Sequence, residues 1–255
     1  MRAACRDGHE NVCLDVRFPM FHDSGGYGQY ANVSRAAINL VPLPDSISFV
    51  DAAGMGCRYM TSWHGIVDQA KVSAGEWVVV FGCGGVGLAA VDIASALGAN
   101  VIGISRTPAK RDLAKELGAV ATVDASSDKV AEQVVEMTGG GAHVSVDALG
   151  DATTTIPALY SLRTRGRHLR LGTSSKAQGG HINVPMDLLL FRELEIIGSL
   201  GMQPSRYPAM LRMVEAGKLR PGRLVKGTVP IEGASDVLAS MADSGPVGAR
   251  VINRW

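Results

Sequence analysis

Residues 77–87 read Trp77-Val78-Val79-Val80-Phe81-Gly82-Cys83-Gly84-Gly85-Val86-Gly87, an apolar run leading straight into G-x-G-x-x-G. The run is too short for a buried helix and rich in β-branched residues, so it predicts a central parallel strand. Each glycine then has its own reason. Gly82 permits a tight turn, Gly84 lets backbone approach a pyrophosphate, and Gly87 lets the next helix pack close to the sheet. The first turn of that helix, with Gly85 and Val86, presents N–H groups and the positive end of its dipole to the phosphates. Set between a strand and a helix, the motif is far more specific than it is alone.

The flanking sequence supplies that setting. Val86, Ala89, Ala90, Ile93 and Leu97 fall at helical spacing, and Gly98 suits the position just past the helix end. Asn100–Ser105 predicts the second strand, and Thr107–Leu117 a second helix that tolerates Pro108 in its first turn. Leu97-Gly98-Ala99 returns as Leu117-Gly118-Ala119, the hand-off from helix to strand that a repeated βα unit gives. Further strands are expected at Ala121–Asp124, His143–Leu149, Arg167–Leu171 and Leu194–Leu200, with helices between the first three. The sum is an α/β doubly wound parallel sheet of the Rossmann type.

With 255 residues and 46% hydrophobic content the chain can bury a sizeable core. A net charge of +1 leaves no electrostatic footprint for nucleic acid or an anionic membrane. No apolar run approaches the roughly 18 residues needed to span a bilayer. The N-terminus lacks the apolar stretch of a secretory signal, and four cysteines are too few for a disulfide framework. A reducing cytoplasm is the expected location.

An NAD-binding domain carries an acidic residue roughly 20 positions after its glycines, where it bonds the adenosine ribose. Here that place holds Ser105 and then Arg106, with Lys110 and Arg111 one turn further on. Serine can bond a 2′-phosphate without repelling it, and an arginine fork neutralises it. Cations near a helix N-terminus oppose its dipole, so they need another reason to stand there. NADP is therefore favoured over NAD.

Segments on both sides resemble the zinc-dependent alcohol dehydrogenases of the medium-chain dehydrogenase/reductase superfamily. They are Gly25–Ala31, Leu43-Pro44-Asp45 leading to Ala52–Cys57, Val72–Glu76, and the closing Gly248–Ile252. The resemblance implies a Rossmann domain plus an incomplete β-rich, GroES-like catalytic domain. The expected boundaries are 1–62 for the catalytic remnant, 63–200 for the dinucleotide-binding domain and 201–255 for the return to the catalytic domain. It also implies site roles. Cys57 matches a ligand of the catalytic zinc, and Thr61 a residue packing on the nicotinamide. Ala148 and Leu149 match the adenosine-side wall, Gly172 and Thr173 a loop beside the nicotinamide, and Arg250 an arginine reaching the pyrophosphate.

Cys5 and Cys13 have the spacing of the last two ligands in the family's four-cysteine structural zinc lobe. The resemblance places the first two ligands, and the remaining catalytic zinc ligands, before Met1. A zinc site needs three or four protein ligands, so neither site is expected to be complete in this chain. Gly8-His9-Glu10 is similar to the family's zinc-binding Gly-His-Glu, but its place between Cys5 and Cys13 makes it a surface loop. His64 lies two helical turns beyond Cys57, roughly 11 Å along a helix and too far for one metal. His22, His143, His168 and His181 are expected to be ordinary strand or loop residues.

The activity implied by the resemblance is hydride transfer between a small alcohol or carbonyl substrate and NAD(P). This chain, lacking most of the Lewis-acid half, is expected to be inactive or weakly active. Two alternatives are a dinucleotide-binding module without redox chemistry and a zinc-independent reductase of the quinone oxidoreductase type. Cys57 and the Cys5/Cys13 spacing argue against the second. Missing catalytic-domain surface raises the risk of aggregation. Leu194–Leu200 is a candidate sheet edge, and the resemblance implies that it pairs with its copy in a second subunit, giving a homodimer or higher oligomer. Pro204 begins a helix expected to run to about Ala216, ended by Gly217.

Overall fold

Among the described residues, four short α-helices precede the apolar run at Trp77: α1 (Ala3–Arg6), α2 (Ala36–Asn39), α3 (Phe49–Gly54) and α4 (Cys57–Trp63). Ser48 caps α3, its hydroxyl accepting from the Asp51 N–H at 3.1 Å. Beyond α4 the helix widens into a π-helical segment, His64–Gln69. These elements come from a computed structural model that describes residues 3–18, 22, 25–174, 178–241 and 247–255. The chain divides into two units, Thr61–Ser199 and the pair of segments Met1–Met60 and Leu200–Trp255. Among the described residues no helix is long and apolar enough to cross a membrane.

The Thr61–Ser199 unit alternates strand and helix. In order these are β1 (Trp77–Phe81), α5 (Gly85–Ala96), β2 (Asn100–Ile104), α6 (Pro108–Glu116), β3 (Ala121–Val123) and α7 (Val130–Thr138). There follow β4 (Ala142–Asp147), α8 (Ala152–Tyr160), β5 (Leu162–Arg170), α9 (Met186–Arg192) and β6 (Glu195–Gly198). The six strands form one sheet in the order β3-β2-β1-β4-β5-β6. Every neighbouring pair is parallel. This is the doubly wound architecture that the glycine motif and its flanks predict.

Burial explains the composition of β1. Val78, Val79 and Val80 are wholly buried, as a central strand covered on both faces requires. Val79 and Phe81 join Val130, Val134 and Ala158 in the core beneath α7 and α8. Val80 points the other way, toward Gly87 of α5. Gly98, just past α5, takes φ +87° and ends the helix.

Strand β5 begins at Leu162, five residues before the expected Arg167. Its pairing with β4 jumps from Ala142↔Leu162 to Val144↔Arg167, and the extra residues include Arg165 in the left-handed region. The sequence Arg163-Thr164-Arg165-Gly166 reads as a turn, which hides the first strand residue. Helix α9 had no counterpart in the sequence expectation.

In the other unit, a 3-10 turn at Pro204–Arg206 leads into α10 (Tyr207–Glu215), and Gly217 follows with φ +66°. Then come β7 (Val225–Pro230), α11 (Ala234–Ser240) and β8 (Ala249–Arg254), with β7 and β8 paired in parallel. Helix α3 packs on this ribbon and on the 3-10 turn Pro221–Leu224 before it: a Cβ on Gly54 would lie 3.2 Å from Val225 Cγ2 and 2.9 Å from the Pro221 carbonyl oxygen.

Candidate functional site

Strand order reverses between β1 and β4, and their carboxyl ends form the crevice where doubly wound sheets take ligands. The turn after β1 is bound to both neighbours: Gly82 N–H donates to Ile104 at 3.0 Å, and Ala148 N–H donates to Phe81 at 3.0 Å. Gly82 takes φ +93°, and a Cβ there would lie 2.6 Å from Cγ of Leu149. A Cβ on Gly87 would overlap the carbonyl oxygen of Gly82. Helix α5 can approach β1 this closely only because Gly87 has no side chain, while the bare Gly82 makes room for Leu149 of the β4 loop.

Gly84 differs from both. Its φ is −84°, which any residue tolerates, and a Cβ there would meet no heavy atom within 4 Å. Gly84 is also the N-cap of α5, with no side-chain cap. Open space therefore adjoins the backbone at the head of α5, whose first N–H groups receive no side-chain cap. A diphosphate fits this place: room for its oxygens, donors to receive them and a favourable dipole. Ser62 steadies the turn from behind, its hydroxyl donating to the Val86 carbonyl at 2.7 Å.

At the end of β2, Ser105 is buried and its hydroxyl accepts from the Thr107 N–H at 3.3 Å. Arg106 is exposed and Lys110 half-buried. Arg111 turns inward, donating to the carbonyls of Ser105 at 2.6 Å and Arg106 at 3.1 Å, and pairs with Asp124 at 3.0 Å. Backbone and side-chain hydrogen bonds from Ser126, and then the Arg111 charge, hold the Asp124 carboxyl below its usual range. Arg111 thus has structural work. Cys83, inside the turn, is buried, and burial pushes its thiol up to about 12.

Ala148 is half-buried and Leu149 exposed after β4; Gly172 is half-buried and Thr173 exposed after β5. The backbones of the two loops touch, for a Cβ on Gly150 or on Gly172 would overlap the opposite loop. Beneath them lies a polar cluster the sequence reading missed. Asp147 is fully buried and accepts from the N–H groups of Leu149 (3.1 Å) and Gly150 (2.8 Å). It also accepts from the hydroxyls of Thr154 (3.0 Å) and Thr155 (2.6 Å). Arg170 donates to Thr155 Oγ1 at 3.0 Å, the Gly150 carbonyl at 2.7 Å and Ser174 Oγ at 2.8 Å, with its charge 3.7 Å from Asp147. A signal was available: Asp147 closes an apolar strand, and a carboxylate buried there must find partners such as the Arg170 that closes the next strand.

Thr61 is buried in α4. The buried His64 places Nδ1 2.8 Å from Asp68 and Nε2 3.2 Å from Gln69, so both ring nitrogens are engaged within the π segment. In the other unit, Cys57 is exposed at the start of α4, Cys5 is half-buried in α1 and Cys13 is buried. His9 is exposed. Burial, and then nearby Cys57, raise the Tyr207 hydroxyl above its usual range. Arg250 stands exposed on β8 and donates to the Lys226 carbonyl. Among the described residues no three His, Cys, Asp or Glu side chains gather where a metal could be held. The described residues therefore offer no set that fits a zinc site.

Comparison with known proteins agrees with this geometry. A family model described as zinc-binding dehydrogenase matches residues 85–216. An alcohol dehydrogenase of Geobacillus stearothermophilus is 30% identical over 249 residues, 97% of this chain and 70% of the relative. An NAD-dependent alcohol dehydrogenase of Sulfurisphaera tokodaii is 28% identical over 251 residues, with 97% and 70% covered. A crystal structure of an NAD-dependent alcohol dehydrogenase superposes with a TM-score of 0.89 at 30% identity, covering 100% of this chain and 72% of that one.

Proposed function

The chain belongs to the zinc-type alcohol dehydrogenases, and from that membership we propose that its Thr61–Ser199 unit binds a nicotinamide dinucleotide at the Gly82–Gly87 turn. One observation carries the reading. Gly87 leaves no space for a side chain, whereas Gly84 leaves space that nothing in the protein fills. Close packing explains the first glycine, and a ligand approaching the backbone explains the second.

By family the reaction is hydride transfer between an alcohol or carbonyl compound and the cofactor. The dinucleotide, when bound, supplies the hydride acceptor or donor. The protein's own contribution is positional. Gly84 and the first turn of α5 receive the pyrophosphate, Ala148 and Leu149 wall the adenosine side, and Thr61, Gly172 and Thr173 flank the nicotinamide ring. Among the described residues no group of His, Cys, Asp or Glu side chains could hold a zinc ion, so the roles assigned to this chain's residues are those of the dinucleotide site alone. Alcohol turnover by this chain alone is accordingly proposed to be weak or nil, with cofactor binding retained.

NADP is the proposed cofactor. Ser105 places a hydroxyl, and no carboxylate, at the end of β2, and Arg106 is exposed beside it. Self-association through β6 is proposed as well, since this strand ends the sheet and Ile196, Leu190 and Phe191 nearby are exposed.

Fluorescence titration with NADPH and NADH, with and without chelator, tests the reading. The expected result is saturable binding, tighter for NADPH and indifferent to chelator. Failure of both dinucleotides to bind a folded chain overturns it.

A further inference from the structure

The loop after β4 and the loop after β5 meet backbone to backbone at Gly150 and Gly172, and the β4 loop ends at Asp151, whose side chain caps α8. What ties one to the other is the Asp147–Arg170 cluster. Asp147 fixes the β4 loop through two N–H groups, and Arg170 bridges that loop to Ser174 beyond the β5 loop. Thr155 of α8 bonds both charged residues, closing the network under the loops. A guanidinium suits this post because its planar fork serves several acceptors at fixed angles, which an ammonium cannot do.

We infer that Arg170, seated on Asp147 and reaching Ser174, is a positioning residue that sets the Gly172–Thr173 loop for the nicotinamide end of the dinucleotide. The inference rests on the proposed binding of a dinucleotide. Arg170 touches no ligand in this role; it acts through Gly150 and Ser174. Arg170 itself bonds Thr155, Gly150 and Ser174, so its loss leaves the Ser62–Val86 bond untouched, and Leu149, against Gly82, keeps its bond to Asp147. The nucleotide half of the cofactor is therefore held as before, while the nicotinamide half loses its preorganised wall.

The test uses the full chain and two variants, Arg170→Met and the milder Ser174→Ala, which removes one of the Arg170 bonds and is expected to fold normally. Each protein is titrated with the tighter-binding of NADPH and NADH, and with the matching fragment lacking nicotinamide (ADP-ribose or its 2′-phosphate). The expected result is a loss of about fivefold or more in dinucleotide affinity for Arg170→Met, and a smaller loss for Ser174→Ala. Fragment affinity should stay within about twofold in both variants. A purely structural role predicts equal losses for dinucleotide and fragment, and that outcome overturns the inference, as do unchanged affinities in both variants. If Arg170→Met fails to fold, Ser174→Ala decides alone. Wild-type protein that binds neither ligand sinks the dinucleotide reading itself, a result distinct from either.

Discussion

The α-carbon of Gly87 faces the carbonyl oxygen of Gly82 with no room between them for a methyl group. Gly87→Ala must push α5 away from β1, at a cost of roughly 1–3 kcal/mol. Gly84→Ala meets no such obstacle and projects into the open side of the turn. We expect Gly87→Ala to lower the urea midpoint clearly. Gly84→Ala should keep the wild-type midpoint yet bind dinucleotide at least about tenfold more weakly. Equal stability losses in the two variants would contradict this division of labour.

Arg106 is exposed at the end of β2, whereas Arg111 is occupied with Ser105, Arg106 and Asp124. If Arg106 reads a 2′-phosphate, Arg106→Ala should weaken NADPH about tenfold and leave NADH unchanged. Arg111→Ala should weaken both dinucleotides alike, through the loop it holds. Parallel titrations of the four combinations distinguish these roles.

His168 is buried beneath α8, with Nδ1 2.9 Å from Ser145 Oγ and Nε2 without a partner. Burial lowers it from 6.5 to about 4, Asp147 opposing and Arg170 reinforcing the shift. Because the folded state holds this ring neutral, its contribution is complete above the unfolded pKa and is lost as pH falls from about 6.5 toward 4. The loss amounts to ~3 kcal/mol. His143 is shifted the same way, chiefly by burial, and adds to the trend. Urea midpoints between pH 7 and pH 4.5 should fall less steeply in His168→Leu than in wild type. Identical slopes would show that His168 does not titrate on unfolding in this window.

Cys57 is exposed and Cys83 is buried with its thiol pushed up to about 12. Thiolate is the reactive form, so a thiol reagent at neutral pH should modify Cys57 in the native protein and reach Cys83 only on unfolding. Mass spectrometry of peptides after timed labelling checks the order.

The Rossmann unit was legible because its signals are local. An apolar run such as Val78–Val80 fits only a doubly covered strand, and G-x-G-x-x-G marks the turn that follows. Strand β5 was caught only from Arg167 onward, since the left-handed Arg165 and Gly166 look like a loop until Leu162 is seen paired with Ala142. The ribbon of β7 and β8 is half-legible: Gly248–Ile252, most of β8, resembles a family ending, but its partner Val225–Pro230 contains Gly227 and ends in proline. Asp147 and Arg170 went unnoticed because each depends on a partner more than twenty residues away. In the sequence Arg111 stands beside Arg106 and Lys110 with no role of its own, and only its bonds to Ser105 and Asp124 reveal its work. The residues at 175–177 and 242–246, within two connecting segments of the expected domains, lie outside the described residues.

Complete enclosure of β1 has a kinetic corollary. Its amides are clamped between β2 and β4 and screened by α5 on one side and by α7 and α8 on the other. In heavy water, Val78 to Phe81 should be among the last protons to exchange, opening only when the whole unit unfolds. The glycine turn directly attached to that slowest segment inherits a nearly motionless foundation, so a ligand settling there has little left to immobilise.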